Sequence, residues 1–134
     1  MENVESRIIV DSNVLINFLR GRKDDIELIR KLASEKILGT TDINAFELYY
    51  GAYKSNRQDE SLALAKGLLN SLFLVSTNED SMEIAAKVMA DMEKKGKTID
   101  MRDMFIGAIC LTNSLSLLTH NKKHFENIEG LVLV

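Results

Sequence analysis

The chain has 134 residues, a formal net charge of −3 and a hydrophobic fraction of 46%, which fits one globular domain and excludes two ordinary ones. A chain of this length buries roughly two-thirds of its unfolded surface, so it folds without disulfides. Cys110, between Ile109 and Leu111, is the only cysteine; an intrachain disulfide is excluded and a buried thiol in a reducing cytoplasm is expected. The acidic balance argues against a basic nucleic-acid coat protein, though not against an enzyme acting on nucleic acid.

The polar opening Met1-Glu2-Asn3-Val4-Glu5 carries no secretory leader pattern, and no apolar run approaches the ~20 residues that span a bilayer. Short apolar runs then alternate with longer helical patterns. Residues 6–10 read as a first strand. A short helix follows over 13–19, ended near Gly21, and a second over 24–33, with Ile26, Leu28, Ile29 and Leu32 inward. Residues 37–40 read as a second strand. The helix over 42–54 is unusually apolar, and another follows over 59–70. Residues 72–75 read as a third strand. Asn78 or Ser81 starts a helix that buries Ile84, Ala85, Val88, Met89 and Met92 and ends at Gly96. A helix over 101–113 leads to a fourth strand at 117–119, and residues 131–134 read as a fifth.

There is no proline, and no repeat or linker is visible, so residues 1–134 read as one domain. Strands alternating with helices imply an α/β fold, a three-layer sandwich with right-handed crossovers and a mainly parallel sheet of about five strands. The strands are continuously apolar, as parallel strands covered on both faces should be. The basic groups (Arg20, Arg22 and Lys23; Lys94, Lys95 and Lys97; Lys122 and Lys123) read as solvated loops and helix ends.

In such a sheet every strand delivers its carboxyl end to one rim, and ligands bind there. Asp11 and Asn121 directly follow strands. Glu47 lies about one turn into the helix after the second strand, and Asp103 in the first turn of the helix before the fourth. Each has a bland alternative: Asp11 as a helix cap, Glu47 as half of a capping box with Asn44, Asp103 as part of a cap begun by Asp100, Asn121 as a turn residue. Together they read as one site, because independent caps need not share a rim. Glu47 stands between Phe46 and Leu48 in an apolar helix, where a carboxylate must pair, protonate or bind a cation. Gathered carboxylates repel unless compensated. Mg²⁺ or Mn²⁺, which prefer oxygen ligands, would remove that conflict and activate a water against a phosphodiester.

Four segments carry a resemblance to the PIN domain, specifically to the small toxin nucleases of the VapC type. They are Ile9-Val10-Asp11-Ser12-Asn13-Val14-Leu15-Ile16, Asn44-Ala45-Phe46-Glu47-Leu48-Tyr49-Tyr50-Gly51, Ile99-Asp100-Met101-Arg102-Asp103-Met104-Phe105-Ile106-Gly107-Ala108 and Leu117-Leu118-Thr119-His120-Asn121-Lys122-Lys123-His124-Phe125. The resemblance implies a PIN-like α/β/α sandwich and a Mg²⁺- or Mn²⁺-dependent endoribonuclease. Asp11, Glu47 and Asp103 fall on the acidic metal ligands and Asn13 on a polar site position. Asn121 is a neutral amide where many members have a fourth acid, so a second tightly held metal is not implied; Asp100 would supply part of that charge, and Thr119 is a supporting polar group. The resemblance also implies RNA as substrate, a cognate antitoxin whose tail enters the site, and a homodimer.

Competing readings are a non-catalytic PIN-like module that binds RNA or protein, and a phospho-acceptor or phosphatase domain using Asp11 as nucleophile. Against the latter, Val75-Ser76-Thr77 ends the third strand without an acid, and Asn13 stands where a dehalogenase-type site wants a second Asp. His120 and His124 straddle a strand end and are not read as a zinc pair. Tyr49, Tyr50 and Tyr53 read as core or dimer surface before base-stacking groups, and Met82, Met89 and Met92 as core.

Overall fold

Strands β1 (Arg7–Val10), β2 (Ile37–Thr41), β3 (Phe73–Val75) and β4 (Ser116–Leu118) form one sheet, in the order β3-β2-β1-β4, in the computed structural model, which describes residues 6–134. The opening Met1 to Glu5, read above as polar and without leader pattern, lies outside the described residues. All three pairings are parallel, with Ile9 opposite both Gly39 and Leu117. Among the described residues there are seven helices: α1 (Ser12–Leu19), α2 (Lys23–Glu35), α3 (Asp42–Tyr53), α4 (Gln58–Asn70), α5 (Glu79–Lys94), α6 (Met101–Thr112) and α7 (Lys122–Phe125).

Alternation along β1 divides the core between the two faces of the sheet. Ile8 and Val10 pack with Val14, Leu15, Ile29, Leu38, Leu48, Ala65 and Leu118, the layer built by α1 to α4. Ile9 points the other way, to Ile106, Cys110, Leu117, Phe125 and Ile128, against α6 and the chain after it. Ile9, Val10, Val14, Ile106 and Leu117 are fully buried, each contributing about 1.5–3 kcal/mol of burial free energy. No described helix is long and apolar enough to cross a membrane.

Helix starts are fixed by short polar side chains. Asp11 caps α1, Thr41 and Asn44 form a capping box on α3, and Asn78 and Ser81 form one on α5. Gly21 and Gly96, with φ of +79° and +68°, turn the chain after α1 and α5, a conformation that costs an L-residue with a Cβ.

Three expectations change. The expected fifth strand is reduced to a single parallel bridge between Leu133 and Leu117: Leu117 N donates to the Val132 carbonyl and Val134 N to that of Leu117, with Val132 largely exposed. The apolar run is there, but only one residue comes into register, so the sheet has four strands among the described residues. Met92 is core, whereas Met82 and Met89 lie on the exposed side of α5; a helix of 16 residues cannot bury every apolar position against one neighbour face. Tyr50 and Tyr53 are exposed, as is Phe46, so the core reading fails for these two tyrosines. Helix α7 stood unread because four residues are too few for a periodic signal.

Cys110 is fully buried in α6, and burial, then the charge of Asp11, pushes its thiol up to about 12. A thiol held neutral is inert. The native protein is expected to leave Cys110 unlabelled by a thiol reagent at neutral pH and to react fully once unfolded; rapid labelling of folded protein would contradict this burial.

Candidate functional site

Asp11, Glu47 and Asp103 reach one point from three elements. Asp11 leaves β1 and caps α1, its Oδ1 accepting the Ser12 amide at 2.8 Å. Its carboxylate is fully buried. Oδ1 also accepts from Asn44 Nδ2 at 2.9 Å, and Oδ2 from the Thr119 hydroxyl at 2.7 Å. Asn44 is itself the third residue of α3, and its Oδ1 accepts the Thr41 hydroxyl at 2.7 Å within the capping box. The device that starts α3 therefore also aims the Asp11 carboxylate. Glu47 takes no part in that box, so its capping alternative is not realised.

Glu47, on α3, accepts the Ser12 hydroxyl on Oε1 at 2.7 Å. Asp103, on the third residue of α6, is buried. Between these carboxylates lies the guanidinium of Arg102. Its Nη2 donates to Asp11 Oδ1 at 2.6 Å and Glu47 Oε1 at 2.8 Å, its Nε to Glu47 Oε2 at 2.8 Å, and its Nη1 to Asp103 Oδ1 at 2.6 Å. Nη2 also donates to the Ser12 hydroxyl at 2.9 Å. Burial pulls the Arg102 pKa down, but the hydrogen bonds to Glu47 and Asp11, the charge of Asp11 and the bond to Asp103 outweigh it, and the net shift is upward. These are charge-assisted bonds, the strong kind.

The supporting residues divide. Thr119, just past β4, is buried; besides donating to Asp11, it accepts the Asn121 amide at 3.0 Å and Asn13 Nδ2 at 3.4 Å. Asn13 Oδ1 accepts the His120 amide at 3.3 Å, so Asn13 braces the loop rather than the carboxylates. Asp100 caps α6, accepting the Arg102 amide at 3.1 Å, and is exposed. Asn121 starts α7 without a side-chain capping bond and is exposed; it touches the cluster through its backbone. His120 and His124 turn to different carboxylates, Asp25 and Asp103, with His124 Nδ1 3.2 Å from Asp103 Oδ2.

Ser12 and Arg102 went unread in the sequence. For Arg102 a signal existed: a cation in the first turn of a helix opposes the macrodipole, so Arg102 at the second position of α6 needs a partner from elsewhere. Ser12 offers none, being a serine in a first turn like many others.

The donor set is chemically right for a hard dication, with oxygen-only carboxylates already converged on a cation. Their spacing is that of the guanidinium. Glu47 takes Nε and Nη2, Asp11 shares Nη2 and Asp103 takes Nη1, and among the described residues no three His, Cys, Asp or Glu side chains close around one point as an ion requires.

Comparison with known proteins places this architecture. The model of the PIN domain family matches residues 8–131. The chain is 29% identical over 129 residues to the Ribonuclease VapC1 of Methanocaldococcus jannaschii, covering 96% of this chain and 86% of that protein. It is 26% identical over 125 residues to the Ribonuclease VapC2 of Haemophilus influenzae, with 93% and 94% covered. Its fold matches a crystal structure of VapBC2 from Rickettsia felis bound to a DNA fragment from their promoter, with a TM-score of 0.87 at 20% identity over 96% of this chain and 97% of that one.

Proposed function

The chain belongs to the PIN domain family, and from that premise we propose that it is a metal-dependent endoribonuclease, the VapC-like toxin of a toxin–antitoxin pair. One observation carries the reading: Asp11, Glu47 and Asp103, from three separate elements, converge on a single cationic group at the carboxyl rim of the sheet. The relatives named ribonucleases support RNA as the substrate.

In this reading Asp11, Glu47 and Asp103 hold Mg²⁺ or Mn²⁺. The ion, when bound, supplies a Lewis acid that lowers the pKa of water and neutralises charge developing on the scissile phosphate. The protein's own part is positioning. Ser12 N and Asn44 fix Asp11 Oδ1, Thr119 fixes Oδ2, and Ser12 Oγ fixes Glu47. None of these supports depends on Arg102. Asn121 brings no charge, so a single tightly held ion fits the site better than two. The Asp11 nucleophile alternative loses ground on the same facts: both its oxygens are buried and engaged by Asn44 Nδ2 and the Thr119 hydroxyl.

A cognate antitoxin is the partner in this reading, supported by the likeness in fold to a VapBC2 complex. A cytoplasmic location goes with it, as does a homodimer, for which the exposed Phe46, Tyr50 and Tyr53 of α3 offer an apolar face.

The test is incubation of the antitoxin-free protein with total cellular RNA in Mg²⁺, Mn²⁺ or EDTA. Discrete fragments bearing 5′-phosphate and 3′-hydroxyl ends are expected with metal and none with EDTA. Cleavage that persists in EDTA, or RNA left intact under every condition, would remove the proposal in favour of a binding module.

Thr119→Val probes the support of the ligands without touching them. It keeps the shape and removes the bond to Asp11 Oδ2, together with the acceptor of the Asn121 amide and Asn13 Nδ2. Losing such an outer partner costs about 10–100-fold in metal affinity or activity, and a Mg²⁺ titration of the cleavage rate would read it. An unchanged titration would show that Thr119 orients nothing.

A further inference from the structure

We propose that Arg102 is a built-in latch on the site: its guanidinium and the divalent ion compete for the same carboxylate oxygens, so metal loading requires Arg102 to swing out. This rests on the metal-site reading above and specifies how that site is controlled.

The competition follows from the occupancy of each oxygen. Asp11 Oδ1 has three donors, the Ser12 amide, Asn44 Nδ2 and Arg102 Nη2. The first is backbone, and Asn44 is fully buried within a helix cap. Arg102 is the one donor that can leave. The same holds at Glu47, where both oxygens face the guanidinium and the only other bond is from Ser12, and at Asp103 Oδ1, bonded to Arg102 Nη1. An oxygen that bonds Mg²⁺ at about 2.0–2.1 Å cannot also accept a guanidinium hydrogen along the same lone pair. Removing Arg102 leaves Glu47 Oε2 and Asp103 Oδ1 without a donor and takes one of three donors from Asp11 Oδ1, all on the side the guanidinium occupied.

The way out is open. The Arg102 side chain is 25% exposed, whereas those of Asp11 and Asp103 are 0% and 5% exposed. Two of the three anchors are buried; Glu47, 29% exposed, lies with Arg102 at the mouth, and Arg102 sits there on a long stem at the start of α6. Charge sets the direction of exchange. Three carboxylates around one guanidinium leave negative charge in excess, and a dication compensates it better. Without metal, Arg102 relieves the repulsion that three gathered carboxylates would otherwise suffer. The apo site is thereby closed and stable, and the apparent metal affinity is reduced by the fraction of time the latch is shut.

Two readouts test this without measuring cleavage. In wild-type protein, the Arg102 Nε–H, bonded to Glu47 Oε2, is expected to give a solvent-protected ¹⁵N–¹H resonance, assigned by its loss in Arg102→Met or Arg102→Lys. Titration with Mg²⁺ should move it to the position of a free arginine, with the midpoint that calorimetry gives for metal binding. Calorimetry on Arg102→Met should show Mg²⁺ binding about tenfold tighter or more than wild type. Arg102→Lys, a point charge that cannot span three carboxylates, should fall between and serves if the Met variant does not fold. A resonance that stays protected while Mg²⁺ saturates the protein overturns the latch alone and leaves the nuclease reading standing. Affinity that is unchanged or weaker in the variants does the same. Failure of every protein to bind Mg²⁺ overturns both.

Discussion

Asp11→Asn is expected to reduce metal-dependent RNA cleavage by about 10³-fold, the scale on which removal of one preorganised charge-stabilising group acts. The substitution is close to isosteric, so the loss would be chemical. The new amide cannot accept at Oδ1 and Oδ2 together. Facing Asn44 Nδ2 and the Ser12 amide with its oxygen, it would turn its NH₂ toward the Thr119 hydroxyl. Asn44 and Ser12 keep their acceptor, the Thr119 hydroxyl loses its own, and the expected loss of stability is about 1 kcal/mol. What disappears is one of three negative charges, while an oxygen remains at the Oδ1 position that faces the centre. Asp11→Ala is the poorer experiment, because it orphans Asn44 Nδ2 inside the protein and adds a cost in stability of about 1–3 kcal/mol. Cleavage rates on total RNA, with melting curves beside them, separate the two effects. A variant that folds normally and cleaves at the wild-type rate would remove Asp11 from the chemistry.

The reach of the sequence was unequal, for reasons visible in particular residues. Strand ends and helix order follow from apolar runs, and they suffice to put Asp11, Glu47 and Asp103 on one rim, since parallel topology leaves them no other place. Glu47 was legible because a carboxylate between Phe46 and Leu48 needs a partner; that partner is Arg102, 55 residues on. Arg102 itself was hidden by ordinary company. An arginine between Asp100 and Asp103 looks like a local salt bridge, and only three-dimensional packing shows its head reaching Asp11, 91 residues away. Asn121 went the other way. Its place after the fourth strand is as expected, but its side chain faces solvent while Thr119, two residues earlier, holds Asp11. Alternation along a strand would put residues two apart on one face, but β4 ends at Leu118 and the chain turns into α7 at Lys122, so rim position does not decide which of the two points inward. The missing fifth strand has a similar cause: Leu131 to Val134 are apolar enough, yet pairing depends on register, which composition does not encode.

Gly39→Ala is expected to cost about 1–3 kcal/mol of stability, the usual range for overpacking a filled core, with little effect on the chemistry of any protein that remains folded. Gly39 is buried in β2, in register with Ile9 on one side and Phe73 on the other. The ring of Phe73 lies over it, and a Cβ built on Gly39 would stand 2.4–2.5 Å from three ring atoms. A flat ring has no flexible tip to bend aside. It would have to swing away as a unit, from a place on the edge strand where its half-buried face packs into the core. Gly107→Ala is the internal control. There the nearest atom, at 2.7 Å, is Ile128 Cδ1, the end of an adaptable side chain, and the cost should be smaller. The pair Gly39→Ala with Phe73→Leu should recover part of the loss, because the leucine vacates the space the methyl needs; such coupling between touching residues is typically 0.5–3 kcal/mol. Urea denaturation of the single and double variants measures it. If Gly39→Ala melts like wild type, the ring is not seated on Gly39, and the β2–β3 pairing that positions Thr41 and Asn44 beneath Asp11 is looser than this packing implies.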